Sequence, residues 1–274
     1  MPANPLFFEH LPLRAGKPRN TGLTMVRDDG QPLPAIEALL ESYGHLFDYM
    51  KFRQFVTWYM RPTELQEKIA VCARHDVKTF LGGTVLEVAH LHNKTEYALG
   101  VMQEYGLSAV EVSSSVVPLS TEQLSKVVSL ARNTGFEVLY EYGKKFQKEA
   151  FDTNDAVADI KELLEAGASR IIVEQWQLDA TLGVDAKAPT ASRMADLASA
   201  IGLEYLVFEA ATLPHQVWLL RNLGPDVNLG PNMDPFHVAA KIEPFRNGIG
   251  SEVDYNVFEH VLAKTGADVL SLLS

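Results

Sequence analysis

Eight short apolar runs in this sequence close on a residue that can carry charge or a hydrogen bond. The closing residues are Asp28, Lys51, Glu87 just past Gly82-Gly83-Thr84, Glu111, Glu141, Glu174, Glu209 and Asn228, with Lys144 and Lys145 following Glu141. Gathered in one place, such carboxylates would repel one another. Lysine ammonium groups or a bound divalent cation must then hold them together, and that pairing is the equipment of charge stabilisation and proton transfer. The segment 136–146, FEVLYEYGKKF, puts an acid and two bases where an apolar run stops. Taken alone it would read equally well as a solvated turn.

Several of these residues have a structural reading beside the chemical one. Glu111 and Glu174 could be inward residues tied into ion pairs. Lys144 and Lys145 are neighbours and cannot both point inward. Glu137 and Glu204 begin runs rather than end them and read as solvent-facing. His90 and His92 have a spacing of two, which on a helix sends them to different faces and argues against a metal pair. Cys72 is the only cysteine, so no internal disulfide and no cysteine-built zinc site is possible. Its neighbours place it on the apolar side of a helix as an inert thiol. No nucleophile elbow, P-loop or H-E-x-x-H occurs.

The elements that must position the ring follow one grammar: amphipathic helix, glycine, apolar run. Segments 120–135 and 155–169 carry apolar residues at three- and four-residue spacing, which predicts helices. Ser120 or Thr121 with Glu122 and Gln123 supplies one N-terminal cap, and Asn154 or Asp155 another. Apolar strands joined by helices predict a parallel sheet covered by helices. About eight such units in ~250 residues is the count of a (β/α)8 barrel. The rival, a doubly wound open sheet, would favour a G-x-G-x-x-G after a strand, and there is none. The reading is therefore one α/β domain, a (β/α)8 TIM barrel over residues 17–274 with helices at its C-terminal end, preceded by an N-terminal arm at 1–16. In such a barrel the strand ends converge on one mouth.

With 24 basic against 35 acidic residues the formal charge is −11. That balance argues against a nucleic-acid or anionic-membrane partner. No stretch offers ~20 uninterrupted apolar residues, and the N-terminus lacks a signal-peptide pattern. A soluble cytoplasmic protein is expected, acting on a small anionic carboxylate and assembled as a homo-oligomer.

The strand ends together, KPRNTGLTMVRDDG, DYMKF, FLGGTVLE, AVEVSSS, GFEVLYEYGKK, AGASRIIVE, VFEA and VNLG, resemble the phosphosulfolactate synthase family from about Lys17 to Gly250. The resemblance implies a (β/α)8 lyase that uses Mg2+ to add sulfite to phosphoenolpyruvate. Attack at C3 pushes charge through C2 into the carboxylate, and an acid must then protonate C2. By resemblance, Lys144 or Lys145 is the proton donor, with Lys144 preferred for its reach from Glu141. Glu111, Glu141 and Glu174 hold the metal or its waters, and Lys51 meets the substrate carboxylate or phosphate, counted among the catalytic lysines. Arg19, Arg27, Asn228 and Arg246 complete the expected substrate contacts.

The chain also departs from that family. After Phe52 it reads RQFVTWYM in place of a small-residue turn. Gln175 and Trp176 follow Glu174 where the family has Gly-Arg, and FRNGIG keeps only Arg246 of an arginine-rich run. Trp58 or Trp176 would fill the vacated space or stack on a less charged partner. The competing function is an altered or inactive member with a stress-related or scaffolding role. Against it stands the cost of an idle ring of buried charge.

Overall fold

Strand β1 (Thr24–Asp28) starts a parallel sheet that runs β2 (Tyr49–Phe52), β3 (Lys78–Leu81), β4 (Ala109–Val112), β5 (Glu137–Tyr142), β6 (Arg170–Val173), β7 (Leu206–Phe208) and β8 (Leu229–Met233). The computed structural model describes residues 14–53, 57–146 and 148–250. Most of the expected arm, residues 1–13, and residues 251–274 lie outside that description. The spatial order is β3-β2-β1-β8-β7-β6-β5-β4, so the sheet curls round on itself. Between β3 and β4 the closure rests on one backbone bond, Ser108 N–H to Thr79 C=O at 3.1 Å, with Ser108 Oγ accepting from Thr79 N–H at 2.8 Å. This is the (β/α)8 barrel expected from the sequence.

The helices are α1 (Leu33–Tyr43), α2 (Pro62–Arg74), α3 (Thr84–Leu91), α4 (Thr95–Glu104), α5 (Thr121–Asn133), α6 (Thr153–Ala166), α7 (Gln175–Leu182), α8 (Ser192–Ile201) and α9 (Leu213–Leu223), followed by a last helical run, Pro235 to Arg246, whose middle turn is π-helical. Local chemistry fixes their ends. Ser120 and Gln123 form a reciprocal capping box at α5. At α6 the cap is Asp152, whose carboxylate accepts from Asn154 and Asp155 N–H; it is not Asn154 or Asp155. Gly167 ends the same helix at φ 117°, a left-handed conformation in which a Cβ would be strained. Among the described residues no helix is long and apolar enough to cross a membrane.

Two apolar cores follow from the alternation of side chains along each strand. Residues such as Val26, Met50, Val110 and Ile171 face outward and pack beneath the helices. Met25, Tyr49, Phe80, Ala109, Leu139, Ile172 and Val207 face inward and fill the barrel. Cys72, fully buried on α2, has its thiol pushed up to about 12, chiefly by burial, which leaves it inert.

The expected eighth strand ended at Gly230, but β8 begins at Leu229 and runs to Met233. A glycine and a proline inside the run, Gly230 and Pro231, read as an ending when they stand in the strand.

Candidate active site

Stepping two residues along each strand from the inner apolar belt gives the lining of the mouth. Met25 leads to Arg27, Tyr49 to Lys51, Ala109 to Glu111, Leu139 to Glu141, Ile172 to Glu174 and Val207 to Glu209. Alternation therefore carries a ring of Arg27, Lys51, Glu111, Glu141, Glu174 and Glu209 to the inside at the C-terminal ends of the strands.

Lys51 occupies its centre. Its ammonium lies 2.8 Å from Glu111 Oε2, and both side chains are almost wholly buried. Burial alone would lower the Lys51 pKa. The charges of Glu111, Glu209 and Glu141 outweigh that, and its pKa is raised. The other oxygen of Glu111 accepts a 2.6 Å hydrogen bond from Gly83 N–H. This bond spans the β3–β4 seam above the point where backbone pairing stops.

The remaining carboxylates are less well served. Burial, with the charge of Glu111, pushes Glu141 up to about 8 against the pull of Lys51. It accepts no hydrogen bond from any described residue. Glu209 is raised to about 7, first by burial. Asn232 donates to its Oε1, while its Oε2 is buried and has no hydrogen-bond partner among the described residues. Glu174, raised to about 7 by burial, caps α7 by accepting Trp176 N–H at 2.5 Å. Among the described residues Glu111 thus commits both oxygens, Glu174 and Glu209 each spend one, and Glu141 keeps both.

Among the described residues no three His, Cys, Asp or Glu side chains are gathered so as to grip a metal by themselves. A small hard cation is commonly held by one or two carboxylates, with water and substrate oxygens completing the shell. The free oxygens of Glu141 and Glu209 fit that arrangement. His90 is engaged with Thr95 and belongs to no metal cluster.

The structure divides the other expected site residues between the two ends of the barrel. Arg27 stands in register with Lys51 and pairs with Asp29 at 2.8 Å. Lys144 and Lys145 are both exposed on the loop after β5, and it is Lys145 whose charge acts on Glu141 and Glu174. Asn228, Arg246 and Arg19, expected as substrate contacts, do not reach the mouth. Asn228 precedes β8 and bonds Leu23 N–H and the carbonyls of Leu203 and Leu206. Arg246 is buried under Val227 and Leu23 carbonyls. Arg19 pairs with Asp48 ahead of β2 at 3.0 Å. All three tie together the N-terminal ends of strands, where a guanidinium or amide satisfies carbonyls left over by the barrel.

Glu137 also departs from expectation. It is inward at that lower end, accepting from Tyr49 Oη at 2.7 Å and pairing with Lys78. Asp28 turns outward and forms a fully buried 2.7 Å ion pair with Lys68 of α2. A cavity of about 440 Å3 opens at the lower end beside Tyr49 and Lys17. Its cations are already used: Lys17 donates to three carbonyls and Arg19 to Asp48 and two more. It therefore lacks the convergent free polar groups that mark a reaction site. Sequence reasoning missed Asn232, which the misplaced end of β8 concealed, and Gly83.

The model of the family described as (2R)-phospho-3-sulfolactate synthase (ComA) matches residues 12–252. The chain is 31% identical over 242 residues to the phosphosulfolactate synthase of Methanothermobacter thermautotrophicus, covering 87% of this chain and 93% of that one. It is 28% identical to the phosphosulfolactate synthase of Bacillus subtilis, covering 90% and 97%. In three dimensions it is similar to 3-hexulose-6-phosphate synthase from Salmonella typhimurium, with a TM-score of 0.54 at 12% identity over 87% of this chain and 99% of that one. At that identity the likeness is one of fold.

Proposed function

The chain belongs to the phosphosulfolactate synthase family and is a synthase-like lyase; from that premise we propose that it adds a nucleophile, sulfite in the family, to C3 of phosphoenolpyruvate. In that addition the new bond forms at C3, the C2–C3 double bond opens, charge moves into the carboxylate, and a proton is delivered to C2. The observation that carries the reading is the Lys51 ammonium held charged among inward carboxylates at the strand ends. A fixed buried cation is the device that stabilises an enolate-type carboxylate as charge develops, because no solvent has to reorganise.

Each neighbour then has a task. Lys51 binds and orients the substrate carboxylate, and Arg27 beside it would be a second cation for the anion on exchanging its partner Asp29. Lys145, whose charge acts on Glu141 and Glu174, is the better placed of the two loop lysines to deliver the proton. Glu141 and Glu209 would hold Mg2+, which when bound supplies further charge stabilisation to the substrate anion. Glu111 orients Lys51 instead of binding metal. The negative net charge and a small-molecule substrate suit a cytoplasmic homo-oligomer.

Calorimetric titration of Mg2+ and phosphoenolpyruvate, singly and together, tests this in the wild type and in Glu141→Gln. Metal-dependent phosphoenolpyruvate binding that weakens in the variant supports the reading. If neither ligand binds even in the presence of the other, phosphoenolpyruvate chemistry is excluded. A sulfonated product from phosphoenolpyruvate, sulfite and Mg2+ would fix the nucleophile.

A further inference from the structure

Glu87 lies in the first turn of α3, 1% exposed, and uses its carboxylate on a neighbouring loop. It accepts five hydrogen bonds: from Ser113 Oγ, from Ser115 Oγ and N–H at 3.1 Å each, from Val116 N–H at 2.8 Å and from Val117 N–H at 2.6 Å. Every donor belongs to the segment that leaves β4 just after Glu111. One buried carboxylate thus fastens the loop above β3 to the loop above β4, across the seam that lacks strand pairing at this height. Burial alone would raise the Glu87 carboxyl, but Ser113 and the three N–H groups hold it below the ordinary carboxylate range.

The fastening continues into the site. A Cβ on Gly83 would meet Ser113 Oγ at 2.3 Å and Ser113 Cβ at 2.9 Å, so Ser113 is pressed directly against the Gly83 backbone. Gly83 N–H holds Glu111 Oε1, and Glu111 Oε2 holds Lys51. Glu87, Ser113, Gly83, Glu111 and Lys51 form one unbroken chain of contacts from the helix layer to the centre of the mouth. Glu87 touches no atom that could react.

We infer that Glu87 is a positioning residue: it clamps the β3 and β4 loops so that Gly83 N–H and Glu111 hold the Lys51 ammonium at its working place. The functional half of this inference rests on the reading of Lys51 given above. The clamp itself does not.

The test uses Glu87→Gln, Ser113→Ala and a control on the same helix, Leu86→Ala, which removes a buried side chain without touching the clamp. The first measurement is amide hydrogen exchange at Gly83. In Glu87→Gln its protection should fall at least tenfold, with Ser113→Ala intermediate and Leu86→Ala unchanged relative to its own global stability. Unaltered protection at Gly83 in Glu87→Gln overturns the clamp. The second measurement is steady-state turnover of phosphoenolpyruvate and sulfite with Mg2+. Glu87→Gln should lower kcat roughly 10- to 100-fold, as loss of a group that orients a site residue does, with KM within about threefold. Partial recovery is expected in Glu87→Asp. A kcat equal to wild type in Glu87→Gln despite lost Gly83 protection would reduce Glu87 to a structural residue. Should the wild type itself not turn over, the reaction assigned above fails while the exchange result still decides the clamp.

Discussion

Lys51 on β2 reaches Glu111 on β4 by passing over β3, and their 2.8 Å contact bridges two strands that are not neighbours. One residue past the end of β3, the next position above Phe80 in the inward alternation is Gly82, which has no side chain to stand in the way. The pair therefore closes the barrel electrostatically where its hydrogen-bond ladder does not, and holds a positive charge among the inward carboxylates.

Removing that charge should abolish turnover before it unfolds the protein. Lys51→Met is expected to lower kcat/KM for phosphoenolpyruvate by about 10^2 to 10^4, the range seen when a preorganised charge contact or proton-transfer group is removed. Lys51→Arg should not restore it, since the larger planar guanidinium does not reproduce the compact point charge of the ammonium. Initial rates with sulfite and Mg2+ check both variants; wild-type kinetics in Lys51→Met would remove this residue from the mechanism.

Glu141, Glu174 and Glu209 are all held above their ordinary values in the folded chain. Between about pH 4.5 and 8 the folded state therefore keeps protons that the unfolded state releases, and metal-free stability falls as pH rises through that window. Glu141→Gln should flatten this slope and stabilise the metal-free protein at pH 8 by about 2 kcal/mol. Denaturant unfolding with a chelator present, at pH 5 and pH 8, measures it. An unchanged slope would mean that Glu141 is ionised in the folded state.

The buried pair Asp28–Lys68 gives a stability prediction away from the mouth. Lys68→Met leaves a buried carboxylate without its cation and should cost about 3 to 5 kcal/mol. Changing Asp28 to Asn as well removes the stranded charge while keeping an acceptor for Gly30 and Gln31 N–H, so the double variant should regain most of the loss. A double variant no more stable than Lys68→Met would contradict the account. Chemical denaturation of the three proteins is sufficient.

At the rim, Trp176 is 37% exposed and stands 5.0 Å from the Phe146 ring, centroid to centroid. Its backbone N–H holds Glu174, so position 176 is anchored beside the carboxylate ring. Trp176→Arg is expected to lower KM for sulfite roughly tenfold, the value of one charge-assisted contact. A KM for sulfite that does not fall would show that the second reactant passes elsewhere.

Much of this molecule was written in periodicity. Apolar runs ending on acids or lysines, separated by amphipathic helices, dictated a parallel sheet covered by helices, and about eight such units without a G-x-G-x-x-G favoured the barrel over the open sheet. The inward ring of Lys51, Glu111, Glu141, Glu174 and Glu209 followed, since it repeats with the two-residue alternation of a strand. What the sequence could not decide was which end of the barrel a polar residue beside a strand serves. Asn228 and Arg246 satisfy carbonyls at the lower end, and a misread boundary at Gly230-Pro231 placed Asn228 at the upper one. Nor could it say which carboxylates keep free oxygens. Glu111 is committed because the β3–β4 seam exposes the Gly83 N–H, and Glu209 keeps a bare oxygen because Asn232 reaches only one of its two. Those outcomes depend on contacts between segments far apart in the chain, and a buried charge takes its role from whichever partner the folded geometry brings within 3 Å.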